Sequence, residues 1–170
     1  DPSREALGSA AELLPAATTA TTLEEFQDLD LDGVVIATPS ALHAKQAIAV
    51  LRQGRAAFVQ KPLARTAEET RQIVAAARAA NRQLSVDFSY RHVQGVPEMR
   101  ALVQSGELGH VFAADLVFHN AYGPDKPWFY DPKAFGGGCV IDLGIHLVDL
   151  AQWILGYGPV SDLRSQLYGQ

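Results

Sequence analysis

Three positions in this sequence combine residue types that can move protons or hold charge. Asp142 and His146 stand four apart in the apolar run that follows Gly136-Gly137-Gly138 and ends at Gly156. On a helix they share one face, where a carboxylate can orient an imidazole and raise its basicity, as a general base requires. The same spacing also suits a buried helix whose His and Asp merely satisfy each other. Lys61 lies between Gln60 and Pro62, and the proline restricts its approach to extended backbone. Such a lysine either polarises a bound hydroxyl or is a solvated turn residue. His43, close to a strand end, either bonds a ligand or lies on the surface, and Tyr122 and Trp128 either wall a pocket or pack their loop. Asp142, His146 and Asp149 are the one set with metal-ligand chemistry. No cysteine cluster or HExxH pattern accompanies them, so no metal is expected.

These residues need elements to hold them. Ser3–Leu14 reads as a helix with Ser3 as N-cap and Pro15 at its end, followed by a brief strand over Thr18–Thr22. Thr22-Leu23-Glu24-Glu25 and Thr66-Ala67-Glu68-Glu69 have capping-box spacing, the second opening a helix to about Ala80. Ser40 caps a helix over Ala41–Gln53 that Gly54 closes. Asp32–Ala37, Ala56–Gln60 and Gln83–Phe88 are apolar runs that alternate with these helices. Such alternation predicts βαβ units, with a parallel sheet buried on both faces between helices. After Tyr90-Arg91 the pattern changes to a helix over Val96–Gln104, breaks at Gly106 and Gly109, and strands over Val111–His119 and Val160–Tyr168. A domain boundary therefore falls between an α/β part, 1–92, and an α+β part, 93–170. Ligands bind at the carboxyl ends of parallel strands. Thr38-Pro39-Ser40, Gln60-Lys61-Pro62 and Ser89-Tyr90-Arg91 occupy those ends, and with the Asp142/His146 helix they can face one crevice.

Composition narrows the partners. With 48% hydrophobic and 19% charged residues, the 170-residue chain suits a globular protein with a core. A net charge of −5 argues against nucleic acid or an anionic membrane. No apolar run approaches the roughly 18 residues of a membrane span. A single cysteine, Cys139, reads as a small packed residue and suits a reducing, cytoplasmic setting.

Taken together, Val34-Val35-Ile36-Ala37-Thr38-Pro39 with His43, the Gln60-Lys61-Pro62 turn, and Gly136-Gly137-Gly138 followed by Asp142, Gly144, His146 and Asp149 resemble the Gfo/Idh/MocA family of NAD(P)-dependent oxidoreductases. The resemblance implies a partial Rossmann dinucleotide-binding domain followed by part of an α+β domain with a mostly antiparallel sheet. By position, Lys61, Asp142 and His146 resemble its catalytic residues. Asp1, Thr38, Pro39, His43, Gln60, Lys61, Ser89 and Trp128 resemble cofactor contacts, and Lys61, Tyr90, Arg91, Tyr122, Asp142 and His146 substrate contacts. The family motif carries Glu where this chain has Gln60, which removes a negative charge beside Lys61. No G-x-G-x-x-G is present, so the chain is expected to be a segment of a longer protein. NAD or NADP is the implied cofactor, with NAD favoured because an Asp1 carboxylate repels a 2′-phosphate. The implied substrate is a sugar, polyol or related compound, and the implied assembly a homo-oligomer, dimer or tetramer. Hydride-assisted glycoside hydrolysis or elimination, and a non-catalytic fragment with an incomplete nucleotide site, are the competing readings.

Overall fold

A computed structural model describes residues 1–27, 29–120, 123, 127–131, 133 and 137–168. Its centre is a three-stranded parallel sheet, β1 (Gly33–Ile36), β2 (Ala56–Val59) and β3 (Leu84–Val86), in the order β1-β2-β3. Ile36 lies opposite Val59, and Val59 opposite Val86, so the three strands end together. Two short helices precede the sheet, α1 (Arg4–Leu13) and α2 (Leu23–Gln27). Helix α3 (Ser40–Arg52) joins β1 to β2, and α4 (Ala67–Ala80) joins β2 to β3. Beyond the sheet come a 3-10 turn (Ser89–His92), α5 (Val96–Ser105), a second 3-10 turn (Pro127–Tyr130), a π-helical turn (Val140–Gly144) and α6 (Ile145–Leu155).

Local chemistry accounts for the helix ends. The Ser3 hydroxyl accepts from the Ala6 amide, Thr22 from Glu25 and Thr66 from Glu69, which satisfies donors that each first turn leaves open. The Glu25 carboxylate in turn accepts from the amide and hydroxyl of Thr21. Helix α3 differs from expectation. It begins at Ser40 itself and has no side-chain cap. Asn81 ends α4 in the left-handed region, and Gly156, at φ +97°, does the same for α6.

The core is one-sided. Ile36, Ala57 and Val59 pack against Ala47, Val50 and Leu51 of α3 and Ile73 and Ala77 of α4. The alternate side chains, Val35 and Phe58, are 72% and 42% exposed. The sheet is therefore not buried on both faces among the described residues, because both crossovers run in the same direction along the sheet. Right-handed crossovers taken in one direction put their helices on one side. Two expected strands beyond the sheet are absent as well. Val111–His119 and Val160–Tyr168 join no ladder among the described residues, and Phe112, Val117, Leu163 and Leu167 are exposed. A strand needs a hydrogen-bonded neighbour and a surface to cover, and these stretches have neither. No antiparallel ladder is present among the described residues, and Thr18–Thr22 is likewise irregular. Cys139 is exposed rather than packed.

If α3 and α4 carry the core in this way, Leu51→Ala destabilises by about 2–5 kcal/mol. Thr66→Ala, which removes only a cap, costs about 1 kcal/mol. Urea denaturation followed by circular dichroism ranks the two, and equal losses would contradict this packing.

Candidate active site

The common end of the three strands builds the site. Backbone pairing continues one step past β2, where the Gln60 amide donates to the Ile36 carbonyl at 2.8 Å. The Gln60 side chain then folds back, its Oε1 accepting from the Lys61 amide at 2.9 Å. The Lys61–Pro62 peptide bond is cis. His43 lies neither on the surface nor free to meet a ligand. It is buried, with Nδ1 2.8 Å from the Pro62 carbonyl oxygen and Nε2 2.7 Å from that of Thr38. Either neutral tautomer donates to one of these carbonyls, so the ring bridges the loops that leave β1 and β2. The Thr38 hydroxyl donates to Gln46 on α3 at 2.6 Å.

Lys61 reaches across the chain. Its Nζ donates to Asp142 Oδ1 at 2.5 Å and to the Asp142 main-chain carbonyl at 2.8 Å. Both side chains are mostly shielded, 17% and 16% exposed. Asp142 sits within the π-helical turn, which leads directly into α6. A side chain that bonds a helix carbonyl competes with the backbone ladder, and here the competing group is the lysine ammonium. Close packing continues upstream. A Cβ on Gly137 would come within 2.5 Å of Ile141 Cγ1, so only glycine fits there.

His146 completes the cluster, in a form that differs from the expected pair. The Asp142 carboxylate is engaged by Lys61, and the buried Nδ1 of His146 has no hydrogen-bond partner among the described residues. The imidazole is instead stacked on Tyr90, with centroids 4.3 Å apart and planes 14° from parallel. Tyr90 in turn stacks more loosely on Phe118, at 6.3 Å. Burial holds the His146 pKa below the ordinary histidine value, and the Lys61 charge adds to the effect. The carboxylates of Asp142, Asp87 and Asp149 pull it the other way.

The remaining sequence-derived positions divide as follows. Thr38, Pro39, Gln60, Lys61 and Ser89 all lie just beyond the strand ends. The Arg91 guanidinium is engaged by Asp149 and by the Tyr157 hydroxyl. Asp1 is exposed, and its carboxylate accepts from the Ser3 amide ahead of α1. Trp128 falls in the second 3-10 turn. Tyr122, like Gly136, lies outside the described residues. Among the described residues no group of three or more His, Cys, Asp or Glu is placed to hold a metal ion. No helix among them is long and apolar enough to cross a membrane.

A family model described as an oxidoreductase family with an NAD-binding Rossmann fold matches residues 1–88, and the GFO/IDH/MocA C-terminal domain matches residues 96–168. The chain belongs to the GFO/IDH/MocA oxidoreductase family. It is 34% identical to 1,5-anhydro-D-fructose reductase of Ensifer adhaerens over 82% of this chain and 42% of that protein. It is 32% identical to levoglucosan dehydrogenase of Pseudarthrobacter phenanthrenivorans, over 77% of this chain and 35% of the relative. A solved levoglucosan dehydrogenase, in complex with NADH and levoglucosan, superposes with a TM-score of 0.78 at 28% identity, covering 91% of this chain and 43% of that one. The chain thus spans about two fifths of the length of these GFO/IDH/MocA relatives.

Two functional features escaped the sequence reading. The Tyr90 stack and the Arg91–Asp149 bridge join residues 56 and 58 positions apart, counted as 146 − 90 and 149 − 91. Charge complementarity was the sole available signal, and it names no partner at that distance.

The electrostatics can be tested by titration. A histidine whose pKa is lowered on folding holds its proton more tightly in the unfolded chain. Its contribution to stability is therefore present above the unfolded value, about 6.5, and is lost as pH falls toward the folded one. Lys61→Met is expected to raise the His146 midpoint and Asp142→Asn to lower it further, both read by NMR. An unchanged midpoint in the two variants would leave burial as the whole cause.

Proposed function

We propose that the protein to which this chain belongs is an NAD(P)-dependent dehydrogenase or reductase acting on a CH–OH carbon of a sugar, polyol or related compound. The reading rests on one observation, the convergence of Lys61, Asp142 and His146 at the carboxyl end of the parallel sheet. That end is where an open α/β sheet takes its ligand. The names of the relatives, which act on 1,5-anhydro-D-fructose and levoglucosan, point to the same substrate class.

A nicotinamide cofactor fits the residues present at this end. Thr38, Pro39, Gln60, Lys61 and Ser89 would hold it, with His43 fixing the two loops they stand on and Trp128 and Asp1 as further contacts. Bound there, it would supply the hydride acceptor or donor. NAD is preferred over NADP on the charge of Asp1. The chain's own residues supply the acid–base chemistry. A neutral His146 accepts the hydroxyl proton of the substrate, the state that its lowered pKa favours near neutrality. Lys61 stabilises the developing alkoxide charge. Asp142 anchors Lys61 and, through its charge, favours the imidazolium that forms. Tyr90 and Arg91 would face the substrate, the role also expected of Tyr122 from the sequence. The division into a nucleotide part, 1–92, and a substrate part, 93–170, a cytoplasmic setting and a homo-oligomeric assembly complete the reading.

Calorimetric titration with NAD and NADP, followed by a sugar and polyol screen read by NADH absorbance, tests it. His146→Asn is expected to lower turnover by about 10²–10⁴-fold with cofactor affinity unchanged. Equal loss of both would remove His146 from the chemistry, and no binding of either cofactor would remove the oxidoreductase reading altogether.

A further inference from the structure

The 3-10 turn after β3 carries two neighbouring side chains with different partners. Tyr90 lies flat on His146. Arg91 donates from Nε to Asp149 Oδ2 at 2.7 Å and from Nη2 to Asp149 Oδ1, and Nη2 also reaches the Tyr157 hydroxyl at 3.0 Å. Its guanidinium carbon is 5.2 Å from the centre of the Phe88 ring and 5.6 Å from that of Trp153. The Asp149 side chain is only 7% exposed. A forked, shielded, charge-assisted bridge of this kind fixes orientation as well as distance. Asp149 stands three residues after His146 on α6, so it shares that face of the helix.

The bridge matters because of how little else orients the His146 ring. The terminal torsion of a histidine is broad and roughly two-fold, and a hydrogen bond to Nδ1 normally sets it. Among the described residues Nδ1 has no partner, and the Asp142 carboxylate takes the Lys61 ammonium. Among the described residues the aromatic contact on its ring face is the Tyr90 stack. Tyr90 is held in turn by the residue next to it.

We infer that Arg91 and Asp149 are a positioning pair that acts through Tyr90, clamping the turn to α6 so that the Tyr90 ring fixes the plane of the His146 imidazole. The use of that plane in catalysis rests on the function proposed above; the clamp itself does not.

The test reads the ring protons of His146 by NMR in the 170-residue chain. Stacking on Tyr90 moves them upfield, and Tyr90→Leu supplies the unstacked reference. Arg91→Met is expected to move them to that reference position while the chain stays folded. Arg91→Lys, which keeps the charge without the fork, is expected to move them part of the way. A folded Arg91→Met chain with His146 at its wild-type shift overturns the proposal. If Arg91→Met does not fold, Asp149→Asn is read in the same way. If neither folds, the pair is a folding determinant and the positioning role falls. In turnover assays the clamp variants should lose on the order of 10–100-fold in kcat with cofactor KM unchanged. A wild-type protein that shows the stack and its loss but no turnover overturns the oxidoreductase reading and leaves the clamp standing.

Discussion

The contact between Lys61 and Asp142 is the interaction on which the rest of the site depends. It joins residues 81 positions apart and ties the end of β2 to the entry of α6. Shielded ion pairs gain little net stability over an apolar pair, yet removing one partner strands the other charge at a cost of about 3–5 kcal/mol. The value of such a pair is therefore geometric. Two hydrogen bonds to one residue, one to the carboxylate and one to the main chain, place the ammonium more tightly than a single salt link would. The main-chain bond falls within the π-helical turn at 140–144, just ahead of α6.

Behind this contact stands the parallel register. Because Ile36, Val59 and Val86 are level, the loops beginning at Ala37, Gln60 and Asp87 emerge side by side. His43 then joins the first two of these loops from below, through carbonyls of Thr38 and Pro62. Burying an imidazole is favourable only where its N–H is met, and a carbonyl lies within reach of either ring nitrogen. The lysine is thus supported on one side by the Gln60 backbone link and on the other by the His43 bridge, before Asp142 takes its far end.

Much of this was legible in the sequence, and the failures have physical causes. Capping residues Ser3, Thr22 and Thr66 announced their helices because a cap is a local interaction, settled within three residues. The strands were announced by apolar runs bounded by turn residues. What the runs could not report was which side of the sheet would be covered. Val35 and Phe58 are as apolar as Ile36 and Val59, and their exposure follows from crossover handedness, which composition does not encode. The expected strands at 111–119 and 160–168 failed for a related reason. Alternation describes a surface that can be covered, and pairing is decided by neighbours outside the window. In the site, Lys61, Asp142 and His146 come together, while the expected hydrogen-bonded pairing of Asp142 with His146 does not form. Asp142 and His146 have helical i,i+4 spacing, but the π turn and a lysine from a distant loop redirect the carboxylate.

That redirection has an electrostatic logic. Lys61 and Asp142 cancel as a pair, so the half-shielded space beside them carries little net charge while His146 stays neutral. A carboxylate in place of Gln60 would add a second anion beside Lys61. With the neutral amide, whose oxygen is spent on the Lys61 backbone, Asp142 has the ammonium's carboxylate contact to itself among the described residues. The cost appears at His146, which loses its hydrogen-bonded anchor and is left with burial and a nearby cation, both favouring the uncharged ring. A neutral imidazole held by an aromatic stack can accept a proton as soon as negative charge develops beside it. The charges of Asp142, Asp87 and Asp149 oppose the lowering by burial and Lys61 without overcoming it.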